Sequence, residues 1–274
     1  MQLISMKEVQ EGSLKILKKI DEICHQLNLK YYLAYGTLIG AVRHKGFIPW
    51  DDDVDIMMPR KDYDILVQYF IDHKEELKPF EIINPQVNNK CPYTISRISD
   101  SRYQLDVDNE DDYGIGLFVD IYPLDGVGNT IKEYSKFKKR ASRFASMCFL
   151  SSRQSVKREN TKSTLKYIIK FPAFIVAKMF GKNFFMRKLY TMAAKCDYSN
   201  SKYIGCVIWA SDDGLRGIFP KKWFDQTVDI EFEGAYFKAP KEFDKVLTHG
   251  YGNYMKLPSK KDRIPHHYYD AYRK

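Results

Sequence analysis

Residues 36–56 read GTLIGAVRHKGFIPWDDDVDI, a Gly-Thr opening and a run of acids joined by a basic, Gly- and Pro-containing stretch. The acidic end runs into the apolar stretch Val54–Met58, which reads as a strand stopped by Pro59. Successive strand residues alternate faces, so Asp53 and Asp55 are expected to project together. Two carboxylates on one face repel unless a cation lies between them. A hard divalent ion, Mg²⁺ or Mn²⁺, takes oxygen ligands and shares a substrate phosphate, which suits such a pair. Asp51 and Asp52 are more ambiguous: one can stand behind the ion and the other caps or solvates the loop.

The other end supplies a phosphate site. Residues 30–35, KYYLAY, read as a short buried strand. Gly36 then turns the chain into a short helix over Thr37–Val42, with Thr37 as its N-cap. A Gly at that turn admits a phosphate, and a helix N-terminus offers it free N–H donors. Arg43 and His44 are placed in the loop that follows, as further donors to phosphate oxygens. Metal plus fixed donors is what phosphoryl transfer chiefly needs.

Further out, residues 5–28 carry apolar positions at helical spacing, and a second helix is expected over about 61–77. Residues 93–98 and 115–122 are strand candidates, with the acidic DVDNEDDYG between them as a connecting turn. Asp120 stands in the otherwise apolar GLFVDIYPLD, where a lone carboxylate costs several kcal/mol unless a cation pairs with it. It is the expected third carboxylate. Asp125, the competing choice, precedes Gly126 and reads as a turn residue. Residues 131–150 and 162–195 read as basic helices with Pro172 as a break or kink. FEGAYFKAP has hairpin character. The order predicts an α/β or α+β fold with a mixed sheet. The expected division is a catalytic core at 1–130, a basic helical segment at 131–195, and a C-terminal part at 196–274 that completes the core and site.

Bulk properties exclude several classes. No apolar run approaches the roughly 20 residues of a membrane span. The N-terminus turns charged too early for a signal peptide, so a cytoplasmic protein is expected. Five scattered cysteines without a CxxC pair suit neither a disulfide framework nor zinc. The net charge of +9 is local: residues 132–188 hold 16 Lys/Arg against two acids, and the remainder is negative. That patch, with the Phe-, Ile- and Met-rich stretch Phe171–Phe185, suits either peripheral contact with an anionic membrane or a basic subdomain packed on the core. No nucleic-acid module or aromatic–basic stacking pattern is visible, so no nucleic acid is expected as partner. A DxD glycosyltransferase usually carries a longer nucleotide-binding region before its acids, and a non-catalytic binding protein would not need three such carboxylates.

GTLIGAVRHKGFIPWDDDVDI closely resembles the signature of the LicD family, which includes bacterial phosphocholine transferases and the fukutin-related proteins of animals. FVDIYPLDG is similar to the family's second block, and FEGAYFKAPKEFDKVLTHGYGNYMKLP is similar to bacterial members. The resemblance implies a nucleotidyltransferase-like core. It implies transfer of phosphocholine from CDP-choline to a sugar hydroxyl of a teichoic acid or other lipid-linked cell-surface glycopolymer precursor, at the inner face of the plasma membrane. Gly36 and Thr37 would lie at the phosphates, Asp53, Asp55 and Asp120 would hold metal, and Asp51 belongs to the family's acidic run. Asp120 is also the expected acceptor of the hydroxyl proton. Ribitol phosphate transfer, or nucleotidyl transfer, is the alternative. A choline head calls for aromatic rings. Among 20 Tyr and three Trp, Trp209 beside Asp212 and Asp213 is the candidate, with Trp50 as a loop anchor and His266-His267 as minor phosphate candidates.

Overall fold

A computed structural model describes residues 1–155, 164–209, 215–264 and 269–274, with the backbone alone for 164–170. The elements in chain order are β1 (Gln2–Leu3), α1 (Met6–Gln26), β2 (Tyr32–Leu33), α2 (Tyr35–His44), β3 (Asp55–Pro59), α3 (Arg60–Asp72), β4 (Phe80–Ile83), β5 (Ser96–Asp100), β6 (Tyr103–Val107) and β7 (Leu117–Gly128). They continue as α4 (Ile131–Ser152), α5 (Thr164–Phe180), α6 (Lys182–Ala193), β8 (Tyr203–Gly205), β9 (Ile218–Pro220), β10 (Thr227–Phe232), β11 (Ala235–Pro240), α7 (Phe243–Tyr251) and β12 (Tyr269–Arg273).

The main sheet runs β2-β3-β7-β5-β4, and the far half of the long β7 also pairs with β8 and through it β9. It is mixed: β3 and β7 are parallel, and the other pairs are antiparallel. Alternation along the strands sorts side chains into two cores. Ile56, Met58, Val119 and Ile121 meet α1 through Ile16, Leu17 and Ile20, and α3 through Leu66 and Phe70. Met57, Tyr122 and Leu124, on the opposite face, meet α4 through Tyr134 and Ala141 and α6 through Leu189 and Met192. The result is a mixed α/β architecture compatible with a nucleotidyltransferase-like core.

Local chemistry explains the boundaries. Ser5 caps α1 in a reciprocal box with Glu8, closing two donors that the helix cannot satisfy itself. The β10–β11 turn is Glu233-Gly234, both at positive φ, as a two-residue hairpin of right-handed twist requires.

Several expectations are corrected. Only Tyr32–Leu33 of KYYLAY is strand, because the chain enters α2 at Tyr35. The helix continues through Pro172, and the break falls at Gly181, whose φ of +72° leaves the helical region. DVDNEDDYG is more than a turn: its start closes β6, which pairs with the C-terminal β12. Asp125 is a strand residue of β7, buried and held by Arg60 at 2.7 and 3.0 Å.

Candidate active site

The parallel register sets Asp55 of β3 directly beside Asp120 of β7, and the antiparallel register sets Arg97 of β5 on Asp120's other side. One row across three strands therefore reads carboxylate, carboxylate, guanidinium. All three residues are buried. Arg97 Nε donates to Asp120 Oδ1 at 2.6 Å and Nη2 to Oδ2 at 3.3 Å. Its Nη1 donates to the Tyr113 hydroxyl at 2.9 Å. The guanidinium lies between the rings of Tyr93 and Phe118, 3.6 and 4.1 Å from their centroids. The cation that Asp120's burial demands is thus supplied by the chain itself. Each Asp120 oxygen keeps a second lone pair.

Asp55 is different. Its Oδ1 is buried and accepts no hydrogen bond among the described residues. Burial pushes its carboxyl well above the usual carboxylate range, and the charges of Asp53, Asp120 and Asp51 push it the same way. Asp53 lies just ahead of β3 rather than within it. One oxygen from each of Asp51, Asp52 and Asp53 falls within 4.8 Å of the others. Asp51, Asp52 and Asp53 so grouped, with the orphaned oxygen of Asp55 two residues further on, are the chemistry that a hard divalent ion would take. The residues present fit such an ion.

Thr37 is not the cap of α2; Ala34 holds that place, and Thr37 sits inside the first turn. Its Oγ1 accepts from the Asp55 backbone N–H at 2.9 Å, and the Ala34 N–H donates to the Asp55 carbonyl at 3.0 Å. Helix and strand are stitched together at the carboxylate itself. Gly36 follows from close approach: a Cβ there would lie 2.6 Å from Asp51 Oδ2. Tyr35, at the head of the helix, holds a φ of +45°, a conformation that a bulky residue keeps only when its surroundings impose it. Arg43 and His44 occupy the last turn of α2, not the loop, about 13 Å along the axis from Tyr35. Arg43 reaches back far enough to feel Asp51, while burial and Arg263 lower its proton affinity. It donates to the Tyr254 carbonyl at 2.7 Å and to His44 Nε2 at 2.9 Å. Burial lowers His44.

The loop between α2 and the acids is held from both sides. The hairpin tip accepts and donates there: Phe47 N–H to Glu233 Oε1 at 3.0 Å, and Glu233 N–H to the Lys45 carbonyl at 2.9 Å. From α1, Gln10 Nε2 donates to the Asp51 carbonyl at 2.8 Å. From β12, the Tyr269 hydroxyl donates to the Asp52 carbonyl at 3.0 Å. Burial and then the charges of Asp52 and Asp53 raise that phenol. Trp50 packs in the same loop under Arg263, whose guanidinium is 5.5 Å from the ring centroid.

Trp209 is half-buried. It stacks on Tyr93 at 5.9 Å and meets the edge of Tyr122 at 6.2 Å, and Tyr122 meets Tyr35 at 5.0 Å. These rings form a wall from the head of α2 to Arg97. Burial raises Tyr122, and Asp55 and Asp120 act the same way, which puts this wall against the carboxylates. Asp212, Asp213, His266 and His267 lie outside the described residues. Arg97, Tyr269 and Tyr35 escaped the sequence reading. Arg97, the one charged residue of the strand-like TISRIS, is a usable signal for a buried partner. Tyr269 carries none, because only the β6–β12 pairing brings it to the acids.

The family model described as "LicD/FKTN/FKRP, nucleotidyltransferase domain" matches residues 28–163. A lipopolysaccharide cholinephosphotransferase, LicD, of Haemophilus influenzae is 32% identical over 259 residues, covering 92% of each chain. Uncharacterised proteins of Rickettsia typhi and Rickettsia prowazekii are 30% and 28% identical, each over 46% of this chain and over 47% and 55% of their own lengths.

Proposed function

Because the chain belongs to the LicD family, we propose that it is a metal-dependent phosphotransferase that moves phosphocholine from CDP-choline to a sugar hydroxyl of a cell-surface glycopolymer precursor. A cholinephosphotransferase matching nearly the whole chain supports phosphocholine as the group moved. The observation that carries the chemistry is the orphaned Oδ1 of Asp55, which feels the charges of Asp53, Asp120 and Asp51. The relative acts on lipopolysaccharide, so the acceptor proposed is a lipid-linked glycan precursor in general, teichoic acid included. The proposed location is the cytoplasmic face of the plasma membrane, where a nucleotide-linked donor and such an acceptor meet.

A Mg²⁺ or Mn²⁺ ion held by Asp53 and Asp55, with Asp51 and Asp120 beside them, would neutralise charge building on the transferred phosphoryl group. The first-turn amides of α2 orient the donor's phosphates. The acceptor hydroxyl forms the new O–P bond and gives its proton to a free lone pair of Asp120, which Arg97 holds in place. The bridging O–P bond breaks, its electron pair leaving with CMP. Trp209, in the aromatic wall, receives the choline head.

The test is incubation with CDP-choline, CDP-ribitol and CDP-glycerol, Mg²⁺ and a lipid-linked glycan precursor, with CMP as the readout. CDP-choline is expected to be preferred. Asp53→Asn and Asp55→Asn are each expected to lower turnover by at least about 10²-fold while still unfolding in a single cooperative transition. Near-full activity in both variants would remove the metal site. Pyrophosphate release from a nucleoside triphosphate would replace the reading with nucleotidyl transfer.

A further inference from the structure

The described part of the basic segment folds as α4, α5 and α6, and α5 from residue 171 onward is packed on one side only. Ala177 is fully buried with Cys148 of α4 and with Phe185 and Met186 of α6. On the other side of the helix Ile175, Val176 and Met179 are exposed, Met179 by 79%, while Phe180, 57% exposed, leans on Phe184 and Phe185 of α6 at 5.0 and 6.2 Å. The one- and three-residue spacing of Ile175, Val176 and Met179 puts them on one helical stripe. Phe149 of α4 is exposed as well. A contiguous apolar stripe left open on a folded chain marks a contact surface.

The charge around the stripe selects its occupant. Lys178 on α5 is exposed, as are Arg187 and Lys188 on α6, directly after the Phe185 and Met186 that pack with Ala177; elsewhere on the segment Lys132, Lys136, Lys139, Arg140 and Arg143 of α4 are exposed too. Among the described residues of 131–196, Glu133 is the sole acid. A second copy of this surface would bring the same sign of charge against itself. Nucleic acid would satisfy the cations but leave the apolar stripe in water. An anionic bilayer satisfies both, since apolar side chains enter the acyl boundary while Lys and Arg meet the headgroups. No helix among the described residues is long and apolar enough to cross a membrane, so the contact is one of lying on the surface.

We propose that the exposed stripe of α5, with Lys178 of its own helix and Arg187 and Lys188 of the adjoining α6, docks the chain onto an anionic lipid bilayer. The proposal rests on the surface and not on the transferase reading, so binding alone tests it. The full chain is floated with vesicles of phosphatidylcholine, and with vesicles of phosphatidylcholine and phosphatidylglycerol. Binding only to the anionic vesicles, weakened by salt, is expected. Ile175→Ser with Met179→Ser, and separately Arg187→Glu with Lys188→Glu, should each reduce the bound fraction at limiting lipid by about tenfold, without lowering the melting temperature. No flotation, equal flotation with neutral vesicles, or unchanged flotation of both variants overturns it. A dimer in sedimentation that the serine variant abolishes would instead give the stripe to a second copy.

Discussion

A single guanidinium decides how the carboxylate row holds together. With Arg97 in place, Asp120 is a paired buried ion. Replacing Arg97 by Met leaves that charge unpaired among Tyr93, Phe118 and Tyr113, a change worth about 3–5 kcal/mol in comparable pairs. Urea unfolding should show that loss, and a double variant with Asp120→Leu should recover part of it. Failure of the double variant to recover any stability would mean the ring packing, not the pairing, sets the cost. Trp209 makes a separate, substrate-level prediction. Trp209→Ala should raise KM for CDP-choline by roughly 3- to 30-fold, in line with a cation–π contact. KM for CDP-ribitol should move little. Equal changes for the two donors would move the choline site elsewhere.

Among the elements, the joint between α2 and β3 sets the geometry. Two hydrogen bonds, Thr37 Oγ1 from the Asp55 N–H and the Ala34 N–H to the Asp55 carbonyl, tie the helix to the strand. The intervening loop lies back on the helix because Gly40 and Gly36 have no Cβ to hold it off. Gly36→Ala is therefore expected to act on the site and not on the fold. Its methyl displaces the mobile carboxylate of Asp51, while Ala is a better helix residue than Gly by up to about 1 kcal/mol. Turnover should fall on the order of 10²-fold, as small displacements of catalytic groups do. The melting temperature should hold or rise. A variant of full activity would show that Asp51 has no part in the chemistry.

For the whole molecule, the carboxylate crowd couples the site to stability. Asp55's carboxyl is raised in the fold by burial and by Asp53, Asp120 and Asp51. The neutral form is therefore the one the metal-free fold prefers. That contribution is complete below the ordinary carboxylate value of about 4 and is lost as pH rises through the raised value. Metal-free protein should accordingly melt at lower temperature as pH increases across that window, and Asp55→Asn should flatten the trend. Saturating Mg²⁺ should restore the melting temperature at the upper end, because an ion held by Asp55 would displace its proton and stabilise only the folded chain. A melting curve indifferent to both pH and Mg²⁺ would contradict the placement of Asp55 in the metal site.

What the chain's own order determined was local. The strand that follows Val54, the apolar frame of Asp120, the hairpin and the charge of 132–188 are written within a few residues of themselves, where period and turn chemistry operate. The ends of short elements are less legible: Asp53 lies ahead of β3, Gly36 and Thr37 lie inside α2 rather than at its turn and cap, and Arg43 and His44 close that helix instead of following it. The tertiary structure decided the pairings. Only strand register could show that Asp120's cation is Arg97, that Asp125 belongs to Arg60, and that Tyr269 closes over Asp52 from the far end of the chain. Hydrogen bonds between strands and the burial of facing side chains join residues whose separation in sequence carries no signal of their meeting. The Gly36–Asp55 stretch gathers the acids, and the register around it sets Asp55 beside Asp120 and pairs Asp120 with Arg97.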